Sequence, residues 1–300
     1  MTVIAKDSAV EEVPTTPGLA LLPGLFVVLW STGFIGAKLG LPYAGPLTFL
    51  ALRFGIVAAF MAAVSLAAGA RWPTSWREAG HTALVGILIQ GVYLGGVYFA
   101  IAQGLSAGLA ALVVCLQPVL TAAFSRLALG ERVTLRQWLG LALGLLGTVL
   151  VVGNDLSFAA RQLAGLAAVI AALFGITFGT LHQKRFCAAV DLRTATAIQN
   201  GTAALPMLAL ALLSEPMTIS WTPEFVFALL WLCLVLSVGA TMLLLLLLRR
   251  GAASRIASLF YLVPPVTAFM AYLLFGESMG IAALAGMGLA AAGVALVNRA

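Results

Sequence analysis

Residues 116–151 read LQPVLTAAFSRLALGERVTLRQWLGLALGLLGTVLV, and residues 262–297 read LVPPVTAFMAYLLFGESMGIAALAGMGLAAAGVALV. Shifted by 146 positions, the first stretch falls on the second without a gap. Leu116, Pro118, Thr121 and Ala122 meet Leu262, Pro264, Thr267 and Ala268, and Gly130-Glu131 meets Gly276-Glu277. Gly140, Leu143, Gly147, Leu150 and Val151 meet Gly286, Leu289, Gly293, Leu296 and Val297. Upstream, Gly33 and Lys38 meet Gly179 and Lys184, while Thr48, Ala51 and Gly55 meet Thr194, Ala197 and Gly201. Leu, Ala and Gly coincide by chance in so apolar a chain. A constant offset that also aligns Pro, Thr, Lys and Glu marks an internal duplication.

The composition says where the two copies reside. Of 300 residues, 62% are hydrophobic and 9% charged, against about 45–50% and about 25% in soluble domains. Mean hydropathy is +1.10. So few charges cannot solvate a globule, which excludes a soluble enzyme, a disordered chain and a nucleic-acid-binding module. A bilayer core of ~30 Å needs ~20 apolar residues in a helix. Ten such runs lie at 18–38, 46–69, 82–103, 106–129, 136–153, 163–183, 194–213, 225–248, 252–275 and 281–297. The runs lack the alternation of a transmembrane barrel, so the predicted fold is an all-α integral membrane protein. Each copy holds five spans, an odd number, so the copies run in opposite directions through the membrane. The domains expected are 18–153 and 163–299, after a disordered cytoplasmic tail over 1–17. With both termini inside, 13 of the 16 basic residues fall on the inner side, Lys38 and Arg161 fall outside, and Arg53 is embedded. That bias predicts cytoplasmic termini in the inner membrane and accounts for the net charge of +6. The three cysteines, Cys115, Cys187 and Cys233, show no metal or redox spacing.

Several short motifs sit on this frame. Trp30-Ser31-Thr32-Gly33-Phe34 is followed by Lys38, and Leu52-Arg53-Phe54 lies in span two. Gln117-Pro118-Val119 and Gly130-Glu131-Arg132 are echoed by Pro264-Pro265-Val266 and Gly276-Glu277. In this order, and duplicated, they resemble the tandem EamA domains of the drug/metabolite transporter superfamily. The resemblance covers the chain after residue 17. It implies ten helices in two inverted repeats and metabolite export, as in the YddG-like exporters of aromatic and other amino acids.

Candidate site residues follow from what is polar inside the spans. Arg53 is the one formal charge well within a span. It either snorkels or pairs with a helix, or it contacts a substrate carboxylate or a gate. Its repeat mate Gln199 and the neighbouring Asn200 are polar too, which favours a lined cavity. In span three, Gln90, Tyr93 and Val97 share one face, suited to an aromatic wall with amide hydrogen bonds. Gly91, Gly95 and Ala102 form a small-residue face, with Tyr98 between them. Pro118 and the pair Pro264-Pro265 fall near the middle of spans four and nine, where they predict kinks or freed carbonyls. Gln117 and Tyr261 flank those breaks, and Trp30 and Ser31 add an aromatic and a hydroxyl. The predicted substrate site is therefore Trp30, Ser31, Arg53, Gln90, Tyr93, Tyr98, Gln117, Gln199, Asn200 and Tyr261, with hinges at Gly91, Gly95, Pro118, Pro264 and Pro265. Gly140, Gly144 and Gly147 in span five, and Gly286, Ala290 and Gly293 in span ten, suit packing within a repeat or across a homodimer.

Every carboxylate falls in a tail, loop or span end, so no intramembrane acid is available for proton coupling. No catalytic constellation, metal site or cofactor site is expected. The partners expected are the lipid bilayer and a small-molecule substrate, with no nucleic acid. The sequence therefore predicts alternating-access export of small metabolites, chiefly amino acids, without obligatory proton coupling. An exporter of hydrophobic drugs or lipid-linked carriers is the alternative transporter, and a receptor or structural membrane protein is the rival class.

Overall fold

Helix boundaries fall where local chemistry interrupts the apolar runs. In the computed structural model, which describes residues 21–103, 105, 110, 113–152, 163–275 and 280–299, ten helical segments follow one another. They are α1 (Leu22–Gly40), α2 (Pro46–Ala67), α3 (Trp76–Ala102), α4 (Gln117–Leu129), α5 (Leu135–Val152), α6 (Leu163–Phe186), α7 (Leu192–Ser214), α8 (Pro223–Arg250), α9 (Ala253–Leu274) and α10 (Ile281–Asn298). Eight are long and apolar enough to cross a bilayer, and a shorter apolar stretch, Leu135–Leu150, makes a ninth. The tail, Arg161, Gly276-Glu277 and most of 104–112 lie outside the described residues.

Capping explains several ends. Ser75 Oγ accepts from Glu78 N at 3.2 Å while Glu78 takes the Thr74 N–H, so α3 starts six residues before its apolar run. A reciprocal box between Thr134 and Gln137 opens α5. Glu215, at the end of α7, accepts from the N–H groups of Leu47 and Thr48, both at 2.8 Å, and from the Thr48 hydroxyl at 2.6 Å. A carboxylate there satisfies orphan donors and meets the positive end of the α2 dipole. Gly130, at φ 72°, ends α4 in the left-handed conformation that glycine adopts without strain.

The duplication extends to the backbone. Helices α5 and α10 begin and end 146 positions apart, α2 and α7 begin so, and α1 and α6 end so. A π-helical segment interrupts α3 at Gly86–Leu94, and its counterpart interrupts α8 at Leu232–Ala240, again at that offset. The two copies interlock. Equivalent helices form the broadest pairings, α5 with α10 and α2 with α7, while α1 packs on α8 and α9 as α6 packs on α3 and α4.

The α5–α10 pairing is made of glycine against backbone. A Cβ on Gly293 would stand 2.5 Å from Gly144 N and 2.6 Å from Gly140 O, and one on Gly147 would stand 2.4 Å from Ala290 N. The small-residue ridges thus mate with each other inside the chain, between repeats. Gly91 makes no close packing contact. The close approaches in α3 are at Gly86, against the Gln199 backbone, at Gly95, against the Met207 side chain at 3.2 Å, and at Gly96, against Ala168 O. Of the two glycines expected on the packing face, Gly95 makes a close contact and Gly91 does not.

Outward faces carry large apolar side chains such as Leu205, Leu213, Leu273 and Ile281, as a lipid-facing surface requires. Buried hydroxyls turn back on their own helices: Thr148, Thr177 and Thr180 each donate to the carbonyl four residues earlier. This satisfies polar groups where no water is available.

Candidate functional site: a central cavity between the repeats

The two π turns face a common space. A π turn widens the helix and spreads neighbouring side chains over a broader face. In α3 it directs Gln90, Tyr93 and Leu94, with Tyr98 one turn further on, onto the wall of a cavity. The face is wider than i, i+3, i+7 spacing allows, and it takes in Tyr98 beside Val97. Trp30 from α1, Arg53 from α2, and Leu236 and Thr241 from α8 complete the lining. The cavity itself is only about 50 Å³, well short of the ~300–1,000 Å³ of small-molecule sites, so it must widen to admit a substrate. An adjoining cavity of about 20 Å³ shares Trp30, Tyr93 and Val97, and reaches Val114, Phe260 and Pro264.

The aromatic walls are held in place. Trp30 meets Phe260 edge-on at 5.3 Å and Phe26 at 5.3 Å, and Phe49 lies stacked beside Tyr98 at 6.5 Å. Arg53 is 2% exposed. Its Nε donates to Ser237 Oγ at 2.9 Å, its guanidinium lies 5.8 Å from the Phe54 ring centre, and its buried Nη1 has no partner among the described residues. Ser237 sits in the α8 π turn, so this bond joins α2 to the break in the opposite repeat.

Of the residues expected at the site, Trp30, Arg53, Gln90, Tyr93 and Tyr98 come together on one cavity, and Pro264 borders its neighbour. The others lie elsewhere. Gln199 Nε2 donates to Gln183 Oε1 at 2.9 Å, and Asn200 Nδ2 donates to Thr196 O. The Ser31 hydroxyl is committed to Val27 O at 2.7 Å and Val263 O at 3.3 Å, fastening α1 to α9. The Tyr261 ring packs on Gly144, and its hydroxyl, like the Gln117 amide, is buried without a partner. The breaks in α4 and α9 precede the prolines. A turn at Cys115-Leu116 and a 3-10 turn at Leu259–Leu262 come first, so Pro118 and Pro264 open new α segments, where a missing N–H costs nothing.

Other features carry no signal in the sequence. Trp231 Nε1 donates to Thr32 Oγ1 at 3.0 Å, and His81 Nδ1 lies 3.0 Å from His182 Nε2. At one end of the bundle, Glu131 forms an ion pair with Lys184 at 2.8 Å and accepts from Ala253 N at the start of α9. Lys184 also donates to Gly251 O, and Arg249 to Val190 O. Nearby, Asp191 caps α7, and hydrogen bonds from Arg193 hold its carboxyl below the usual range. No set of three or more His, Cys, Asp or Glu side chains able to hold a metal occurs among the described residues.

The described residues form a helical bundle of two interlocked repeats around a central cavity. The profile of the EamA-like transporter family matches residues 18–153 and 163–299, and the chain belongs to that family. It is 28% identical to the uncharacterized transporter YvbV of Bacillus subtilis over 296 residues, covering 96% of this chain and 93% of that protein. It is also 28% identical to a probable amino-acid metabolite efflux pump of Salmonella typhimurium, covering 90% of this chain and 91% of the relative. One solved crystal structure superposes with a TM-score of 0.79 at 24% identity, over 93% of this chain and 96% of the other, a likeness in fold. The protein is a multi-pass membrane transporter of the drug/metabolite class.

Proposed function

We propose that this protein exports small amphipathic metabolites, chiefly amino acids including aromatic ones, by alternating access from the central cavity. The observation that carries this reading is the cavity lining: Trp30, Tyr93 and Tyr98 as flat walls, Gln90 as an amide, and Arg53 as the sole formal charge. The name of the Salmonella relative, an amino-acid metabolite efflux pump, agrees with it. Transport proceeds without obligatory proton coupling, because the cavity lining holds no carboxylate and a coupled carrier needs an intramembrane acid. Both termini face the cytoplasm and the protein resides in the inner membrane. The linker cations Arg71, Lys184, Arg193 and Arg249 then gather on the cytoplasmic side, as the positive-inside rule requires. In that orientation the Glu131–Lys184–Ala253 contacts tie the cytoplasmic end, and α3, α4, α8 and α9 move about their helix breaks.

Counterflow of labelled tryptophan, threonine and leucine in proteoliposomes tests the reading. Flux above empty liposomes is expected, unchanged when an ionophore collapses a proton gradient. Gln90→Ala and Tyr93→Ala are expected to lower flux about tenfold or more, as losing one or two hydrogen bonds or an aromatic wall does, with melting temperature preserved. No flux for any amino acid would refute the substrate assignment, and strict dependence on the gradient would refute the coupling.

A further inference from the structure

We propose that the cavity recognises its substrate by the carboxylate alone, through Arg53, so that its substrate class is apolar and aromatic monocarboxylates whether or not they carry an amino group. The inference rests on the central cavity being the transport site, and it names what that site selects.

The guanidinium supplies the first half of the argument. Arg53 is buried on the cavity wall, and no carboxylate bonds to it among the described residues. Ser237, a neutral oxygen, holds Nε and fixes the plane of the fork, while Nη1 is shut off from water with no acceptor among the described residues. A buried cation in this state lacks the compensation that burial demands. A planar, always-charged fork with a donor still unpartnered fits a carboxylate, which accepts hydrogen bonds from such a fork. A merely structural arginine would spend that donor on a backbone carbonyl.

The other half is what the cavity lacks. An ammonium group in a dry site needs an anion or a ring of strong acceptors. The cavity lining contains no Asp or Glu, and its polar members besides Arg53 and the aromatic residues are Gln90 and Thr241. The carboxylates of the described residues, Glu78, Glu131, Asp191, Glu215 and Glu224, all lie at helix ends or in linkers. The amino group of an amino acid can therefore be accommodated here without being required. A 2-hydroxy or 2-oxo acid with the same side chain meets the same fork and the same walls. An amine or a carboxamide with that side chain does not: the first sets a cation against Arg53, and the second offers only a neutral acceptor.

Transport then differs between the two kinds of substrate. A zwitterion moves without net charge, whereas a monocarboxylate without the amino group carries one negative charge outward. An inside-negative potential assists the latter, about tenfold in its equilibrium gradient for each ~60 mV.

The test is competition for labelled tryptophan counterflow in proteoliposomes of the full-length protein. The competitors are tryptophan, indole-3-lactate, tryptamine and tryptophanamide. Indole-3-lactate is expected to compete within a few-fold of tryptophan, and tryptamine and tryptophanamide about 10–100-fold more weakly, the value of a hydrogen bond to a charged group. Arg53→Gln is expected to lose tryptophan flux by a similar factor and to lose the preference between acid and amide, while Arg53→Lys retains part of both. If Arg53→Gln does not fold, the wild-type competitor profile decides the matter alone. Equal competition by tryptamine or tryptophanamide, or failure of indole-3-lactate to compete, overturns the carboxylate rule while leaving amino-acid export standing. Absence of counterflow for any amino acid overturns both together.

Discussion

Gly293→Ala is the perturbation whose outcome the packing fixes most tightly. The added methyl would lie 2.5 Å from Gly144 N, 2.6 Å from Gly140 O and 2.8 Å from Gly144 Cα. All three are backbone atoms of α5, so no side chain can rotate away, and α5 and α10 must separate by several tenths of an ångström. Overpacking of this kind costs about 1–3 kcal/mol, slightly offset by the better helix propensity of alanine, at most ~1 kcal/mol. The same helix contains its own control. A methyl added at Gly288 would meet nothing within 4 Å, so Gly288→Ala should be neutral or stabilising by up to ~1 kcal/mol. Measured as melting temperature in one detergent, Gly293→Ala should fall several degrees below Gly288→Ala, using about 2–4 °C per kcal/mol for chains of similar size. Equal melting temperatures for the two variants would refute the glycine-to-backbone contact between repeats.

Two further predictions concern the end of the bundle where charges gather. Glu131→Ala, which removes both the Lys184 partner and the acceptor for Ala253 N, should destabilise by about 1–3 kcal/mol, and Glu131→Gln, which keeps an acceptor, by less. Thermal melts of the two variants check the order, and equal losses would count against a role for the α9 cap. The Asp191 carboxyl is held below its unfolded value of ~3.9 by Arg193, so its contribution is complete above that value and fades as pH falls through the lower folded one. A melt series of wild type and Asp191→Asn should therefore show a constant offset from about pH 5 to 8 that narrows only in stronger acid, and an offset varying across that range would contradict the assignment.

What the sequence disclosed and what it withheld have separate physical causes. The apolar helices and the duplication were legible because hydropathy and a constant offset are properties of the chain alone. Trp30, Arg53, Gln90, Tyr93 and Tyr98 were legible as polar or aromatic residues too deep for the membrane interface. The positions of Gln199, Asn200 and Ser31 were not, because a polar side chain in a span is satisfied either by a substrate or by a neighbour. Only the fold decides which: Gln183 for Gln199, Thr196 O for Asn200, Val263 O for Ser31. The π turns escaped as well, since nothing in residues 86–94 or 232–240 announces an i→i+5 ladder. They broaden the lining of α3 beyond Gln90, Tyr93 and Val97 to Ile89, Leu94 and Tyr98.

The duplication also separates scaffold from site. Paired positions share helix ends, π turns and glycine contacts, and there the copies agree. On the cavity wall they disagree: Trp30, Arg53, Gln90, Tyr93 and Tyr98 have as mates Ile176, Gln199, Leu236, Gly239 and Leu244. Every one of these site residues comes from the first copy, whose mates are apolar, small or, for Gln199, bonded elsewhere. The second copy answers with Ser237 and Thr241, whose mates are Gly91 and Gly95. A carrier with two equal copies would present the same groups to a substrate from both sides and would favour a two-fold symmetric ligand. Divergence at these positions instead gives the cavity one charged end, set by Arg53 and Ser237, and a broad aromatic wall. That polarity is what the proposed recognition of a single anionic head with an apolar body draws on, and it lies where the two copies differ rather than where they agree.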